Sequence, residues 1–254
     1  MIHLGDFGNF NFITHGLDRG VDHVIGDPPY LSRSQDSQRR GAGNGRVVSS
    51  RPVGFSALTP AHRALWASNI AMIVRRWVVV FSDAEGADAW ARDLETVGLI
   101  YIRTMVWIRG DLGPIDGGVG VRGRKGAPQF TGDRPATGHE CMVLAHAAGG
   151  GRSRWNGGGK AGVYVHNVVE SADRIHDAQK PLDLMRQLVR DFTDPGESIL
   201  DPWAGSGTTV VAAKLEGRKG VGIELDNHTA KMAARRVDGT KAPEPLRFRG
   251  GPTP

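Results

Sequence analysis

An α/β domain built on a mostly parallel sheet is predicted by two features: apolar strand-sized runs alternate with helix-period segments, and glycine-rich or proline-rich turns follow two of the runs. Val24–Ile25 closes a short strand that ends at Gly26 and Asp27. Thr59-Pro60 has the form of an N-cap followed by proline in the first helical turn, opening a helix that should run to about Arg76. Trp77–Phe81 is continuously apolar, as a strand buried on both faces requires. The spacing predicts a helix over Ala87–Val97, stopped at Gly98, then strands at Ile100–Ile108 and Cys141–Ala145. Over Pro181–Phe192, Met185, Leu188, Val189 and Phe192 recur at helical spacing and form one packing face. Asp194-Pro195-Gly196 ends that helix. Ser198–Leu200 and Val221–Ile223 are further strands; Thr208–Leu215 and Asn227–Val237 are helices.

Residues 1–238 are expected to form one domain. Three stretches, 31–57, 109–138 and 148–175, are rich in Gly and Arg without a sustained period and read as inserted surface loops. Residues 239–254 read as a disordered tail.

Composition narrows the class. The 254 residues hold 36 Gly and 14 Pro, below the share at which non-repetitive disorder becomes the default. No apolar run approaches the ~20 residues of a membrane span, and the N-terminus lacks a signal-peptide pattern; a cytoplasmic, non-membrane location is expected. The single Cys141 excludes an internal disulfide framework and a Cys-rich zinc site. A formal net charge of +5 favours a polyanionic partner. Basic residues cluster in the loop-like stretches, among them Arg33, Arg39, Arg40, Arg152, Arg154 and Lys160.

Two motifs carry chemistry. Asp201-Pro202-Trp203-Ala204-Gly205-Ser206-Gly207-Thr208-Thr209 lies between a strand and a helix, where glycines allow a ligand close to the backbone and to the helix N-terminus. Glu224 ends the next strand about 20 residues after Gly205, the offset at which an acid meets ribose hydroxyls in nucleotide-binding βαβ units. A dinucleotide fingerprint would place a third glycine at Val210, and a P-loop would place Lys at Thr208. A ligand with adenosine and an amino-acid end but no phosphate fits better, and S-adenosylmethionine is such a ligand. The second motif, Asp27-Pro28-Pro29-Tyr30, also follows a strand, in the position where open α/β sheets bind ligands. Its prolines stiffen the turn and leave carbonyls free to accept, so Asp27 and Pro28 can accept both hydrogens of an exocyclic amine. Tyr30 offers a face on which a base can stack.

Taken together, DPPY and the later DPWAGSGTT resemble the amino-group DNA methyltransferases, which modify adenine N6 or cytosine N4. The order of the motifs, catalytic before cofactor, is similar to the beta group of that family. Leu4-Gly5-Asp6, His139-Glu140 and Gln179-Lys180-Pro181 fit the same resemblance, which covers about residues 1–30, 77–147 and 176–237. Trp203 stands where the family usually has Phe. The resemblance implies a Rossmann-like S-adenosylmethionine-dependent methyltransferase fold with a mostly parallel, seven-stranded sheet and permuted motif order. It implies S-adenosylmethionine as donor, no metal, and double-stranded DNA as partner. Asp27, Pro28, Pro29 and Tyr30 would be catalytic. Asp6, Lys180, Asp201, Pro202, Trp203, Gly205, Ser206, Gly207, Thr208, Thr209 and Glu224 would bind the cofactor.

Asp rather than Ser at the head of the catalytic turn favours adenine N6, with cytosine N4 as the alternative. Arg33, Arg39, Arg40, Arg152, Arg154, Trp155 and Lys160 are expected to contact DNA by combining charge with an aromatic face. Two other classes compete: a silent nucleic-acid-binding protein, and a methyltransferase acting on protein glutamine or a small amine. Cytosine C5 methylation needs a thiolate beside proline, whereas Cys141 lies between Glu140 and Met142. The Pro-Cys-x-x-Cys of zinc deaminases is absent, and Val143 replaces the second histidine of H-E-x-x-H. The sequence does not distinguish a monomer from a homodimer.

Overall fold

A computed structural model describes residues 1–30, 58–115, 118–123, 138–149, 154–170, 172–176 and 178–242. Among them, nine strands form one sheet: β1 (Ile2–Leu4), β2 (His23–Gly26), β3 (Trp77–Ser82), β4 (Ile100–Ile115), β5 (Gly118–Gly123), β6 (His139–His146), β7 (Val163–His166), β8 (Ser198–Asp201) and β9 (Lys219–Glu224). Five α-helices flank it: α1 (Pro60–Ile73), α2 (Ala84–Thr96), α3 (Leu182–Phe192), α4 (Thr208–Leu215) and α5 (Asn227–Gly239). The spatial order is β1-β9-β8-β2-β3-β6-β4-β5, with β7 pairing β4. β1, β9, β8, β2 and β3 pair in parallel, and β6 runs antiparallel to both β3 and β4. The expected seven strands are therefore extended to nine by β5 and β7.

The central strands alternate between two cores. On one face Val24, Val78 and Val80 pack with Ile70 of α1 and with Trp90 and Leu94 of α2. On the other, Ile25, Val79 and Phe81 pack with Leu184, Met185, Leu188 and Phe192 of α3 and with Ala212 and Ala213 of α4. Burial on both faces is why Trp77–Phe81 reads as an unbroken apolar run, with Ser82 closing the buried strand.

Several boundaries differ from the sequence reading. α1 is capped by the Thr59 hydroxyl, which accepts from His62 N at 3.2 Å. It stops at Ile73 rather than Arg76, because Arg75 N and Arg76 N turn to donate to the Val21 and Asp22 carbonyls ahead of β3. α2 begins at Ala84, three residues earlier than expected, because Asp83 accepts from Gly86 N at 2.8 Å. The larger difference lies in the expected loops. β4 continues to Ile115 and pairs β5 within the 109–138 stretch, and β7 forms within 148–175. Glycines at 110, 113, 118, 120 and 123 join that ladder through their backbones and contribute nothing to an apolar period.

β2 and β8 are neighbours, with His23 opposite Ile199 and Val24 opposite Leu200. From this pair the chain departs in opposite directions: β8 leads through α4 to β9, and β2 leads through α1 to β3. Such a divergence opens a crevice at the carboxyl ends of the strands, where open α/β sheets take their ligands.

Candidate active site at the β2–β8 crevice

Both motifs end on this crevice. A Cβ built on Gly26, the last residue of β2, would lie 2.9 Å from Pro202 Cδ, 2.9 Å from Trp203 Cε3 and 3.1 Å from Asp201 Oδ1. Glycine at position 26 therefore lets the Asp27 turn lie directly against the Asp201-Pro202-Trp203 turn. The two stretches meet through backbone and ring contact.

On the β8 side, Gly205 and Gly207 adopt φ of 49° and 74°, the left-handed region that glycine enters most readily. Glu224 is buried and accepts from Gly205 N at 2.8 Å and, through its other oxygen, from Asp226 N at 2.9 Å. The His176 ring lies 3.8 Å from where a Gly205 Cβ would stand, so a side chain at 205 would fill the hollow between them. Asp201 accepts from Trp203 N at 3.1 Å and faces the Thr209 hydroxyl. Burial dominates the Asp201 carboxyl and pushes its pKa up to about 7, with the Asp27 and Glu224 charges adding to the shift. Asp6 joins this rim at the end of β1, where Gly5 N donates to the Glu224 carbonyl at 2.9 Å. The Asp6 carboxylate itself caps the short turn Phe7–Asn9.

Three expected cofactor residues have different surroundings. The Ser206 and Thr208 hydroxyls are 3.0 Å apart, buried, and both within reach of Arg236 Nη1, at 3.2 and 3.0 Å. They tie the glycine turn to α5. Lys180, expected beside the cofactor, instead places Nζ 2.5 Å from Asp27 Oδ2 and 2.9 Å from Glu140 Oε2.

The β2 side contains an ion network. Tyr30 donates its hydroxyl to Glu140 Oε2 at 2.6 Å, and Arg109 bonds the other Glu140 oxygen. Burial raises the Asp27 pKa, opposed by the Lys180 charge; burial likewise raises Glu140, but Lys180 and Arg109 hold it at about 2. Asp27 Oδ1 is buried with no hydrogen-bond partner among the described residues. A cleft of about 520 Å³ opens beside this network, lined by Gly110, His166, Asn167, Gln179 and Pro181 among others. Glu140, Arg109 and His176 did not emerge as site residues from the sequence. The available signal was an acid, Glu140, heading an otherwise apolar strand.

The chain matches a family model described as DNA methylase over residues 104–235, just over half its length. It belongs to that family. Short stretches of the chain also match curated relatives. The DNA adenine methyltransferase YhdJ of Escherichia coli (strain K12) is 43% identical over 63 residues, 25% of this chain and 21% of the relative. The type II methyltransferase M2.DpnII of Streptococcus pneumoniae is 41% identical over 70 residues, 28% of this chain and 26% of the relative. The matched stretches thus span about a quarter of each relative. The fold agrees along almost the whole chain with solved structures. The M1.HpyAVI–SAM complex superposes with a TM-score of 0.67 at 20% identity, covering 94% of this chain and 98% of that one. The cytosine-N4-specific PvuII DNA methyltransferase gives 0.63 at 15% identity, covering 92% and 85%.

The basic residues divide from the site. Arg33, Arg39, Arg40 and Arg152 lie outside the described residues. Arg154, Trp155 and Lys160 lie near the opposite, N-terminal ends of the central strands. The Arg154 carbonyl accepts from Trp77 Nε1, at the first residue of β3, at 2.8 Å, and its guanidinium pairs Asp194 at 3.2 Å, ahead of β8. Trp155 packs on Phe192 with ring centroids 4.8 Å apart, and Lys160 pairs Asp191 at 3.3 Å. The register Gly26 opposite Val80 sets Asp27 level with Phe81, four residues or ~13 Å along the strand from Trp77. The structure does not bring them to the crevice. Trp155 has its ring against the core rather than standing as a stacking face.

Proposed function

We propose that this chain transfers a methyl group from S-adenosylmethionine to the exocyclic N6 amine of adenine in double-stranded DNA. The observation that carries this reading is the contact of the Asp27 turn with the Asp201-Pro202-Trp203 turn across Gly26. It puts an amine acceptor and a glycine-lined hollow on one crevice. Adenine is favoured by Asp27 at the head of the turn, in keeping with the name of YhdJ.

The residues present fit the donor. Each Glu224 oxygen accepts one backbone N–H and retains a lone pair for a ribose hydroxyl. Asp201 and Asp6 flank the hollow that the bare Gly205 keeps open beneath His176. When bound, S-adenosylmethionine supplies an electrophilic methyl.

Asp27 Oδ1 and the Pro28 carbonyl accept the amine hydrogens and orient the nitrogen lone pair, a role of positioning and electrostatic stabilisation. The Tyr30 ring, tethered by its hydroxyl to Glu140, stacks on the base. The proton released from the amine leaves through Asp27 or water. Extruding the base from the duplex costs a few kcal/mol, which protein–DNA contacts offset. A DNA substrate supports a cytoplasmic location for the chain.

Methyl-labelled S-adenosylmethionine incubated with duplex DNA, followed by nucleoside digestion and chromatography, tests the reading. Label at N6-methyladenine is the expected result, and Asp27→Asn should reduce it at least 100-fold while leaving the fold intact. Label at N4-methylcytosine would reassign the base. Label in protein, or none in DNA, overturns the proposal.

A further inference from the structure

The side chains that hold Asp27 form a closed circuit. The Lys180 ammonium has three N–H groups, and three acceptors surround it: Asp27 Oδ2 at 2.5 Å, Glu140 Oε2 at 2.9 Å and the Tyr30 hydroxyl at 3.3 Å. Tyr30 donates its hydroxyl hydrogen to Glu140 Oε2, and Arg109 occupies the remaining Glu140 oxygen. Two carboxylates and two cations balance, as burial of ionised groups demands. The ammonium is boxed in by the rings of Phe81, Tyr30 and Trp107, with centroids at 5.0, 5.5 and 6.0 Å. Lys180 therefore has no donor left for a substrate, and Asp27 Oδ2 is occupied. Oδ1 is the carboxylate oxygen without a partner among the described residues.

Resting on the function proposed above, we infer that Glu140 is a positioning residue: pinned by Arg109 and Tyr30, it holds the Lys180 ammonium on Asp27 Oδ2 and so leaves Oδ1 to accept the amine. Glu140 itself touches no reacting atom. Its effect reaches the reaction through Lys180. The charged or titratable groups facing Asp27 are Lys180 ahead of α3, Glu140 on β6, Tyr30 on its own turn and Asp201 across the crevice on β8. Lys180 is the cation among these. Its loss should let Asp27 hold a proton to higher pH and surrender its acceptor role.

The experiment measures labelled methyl transfer to DNA by the wild type, Glu140→Gln, Lys180→Met, Arg109→Gln and Asp27→Asn, with S-adenosylmethionine Kd by calorimetry. Glu140→Gln should lower kcat tenfold or more, with KM for DNA and Kd for the donor within twofold of wild type. Lys180→Met should move the acid limb of the kcat–pH profile upward by one pH unit or more. A Glu140→Gln enzyme with kcat within twofold of wild type, or an unmoved acid limb in Lys180→Met, overturns the inference. If Glu140→Gln binds no donor and is unfolded, Arg109→Gln decides: a threefold or larger fall in kcat at unchanged KM supports the inference, and full activity overturns it. A wild-type protein that binds the donor but methylates no DNA defeats the proposed function, and this inference with it. An inactive Asp27→Asn beside a fully active Glu140→Gln defeats the inference alone.

Discussion

Asp201 shows how one buried carboxyl couples the site to stability. Its pKa, pushed up to about 7 mainly by burial, exceeds the ordinary value of 3.8, so the folded protein retains a proton that the unfolded chain has lost between those two values. Unfolding then releases a proton across that window, and stability falls as pH rises from about 4 to 7 before levelling off. Asp201→Asn removes this loss. Thermal melts should show the variant gaining stability over wild type at pH 8, by roughly 1–3 kcal/mol, and gaining little at pH 4. An equal difference at both pH values would contradict the assignment of the proton to Asp201. The residue scale also shows what sequence can reveal. Asp27, Asp201 and Glu224 were legible because each occupies a fixed offset from a turn or strand end. Glu140 and Arg109 were not, because their meaning comes from strands β6 and β4 lying side by side, with Trp107 opposite Glu140. No spacing along the chain encodes that juxtaposition.

At the scale of elements, the seam between β2 and β8 depends on an absence of side chain. Gly26→Ala would put a methyl 2.9 Å from both the Pro202 and the Trp203 ring carbons, neither of which is the end of a flexible side chain. The two turns must move apart to admit it. Denaturant unfolding should report a loss of about 1–3 kcal/mol, the usual range for overpacking, and methyl transfer should fall more steeply than stability does. Gly207→Ala is strained for another reason, a φ of 74° with the Ala233 Cβ 3.2 Å from the added methyl. It should lose about 1–2 kcal/mol by the same measurement. Strands and helices of the central layer were legible because their two faces are both buried, which writes itself into composition. β5 and β7 were not. β5 pairs through a glycine-rich backbone, and β7 has four residues, too short for an alternating pattern to stand out.

For the molecule as a whole, a net charge of +5 predicts that the proposed binding to DNA is salt-sensitive. Affinity measured by fluorescence anisotropy should fall linearly with log salt concentration, and a flat response would argue against phosphate contacts. Overall architecture was legible from the order of the two motifs, yet the side of the sheet that receives basic loops was not. Arg154 and Lys160 carry the expected charge and sit at the far end of the strands, paired with Asp194 and Asp191. The arrangement of β2 beside β8 has a further consequence for biosynthesis. The bond between Asp22 N and Ser198 Oγ joins residues 176 positions apart, so β2 of the nascent polypeptide waits for its neighbour β8 while the residues between them are added. At ~5–20 residues per second that wait lasts on the order of 10–35 s. Throughout it the ribosome-bound chain carries its acidic corner without the other wall of the crevice.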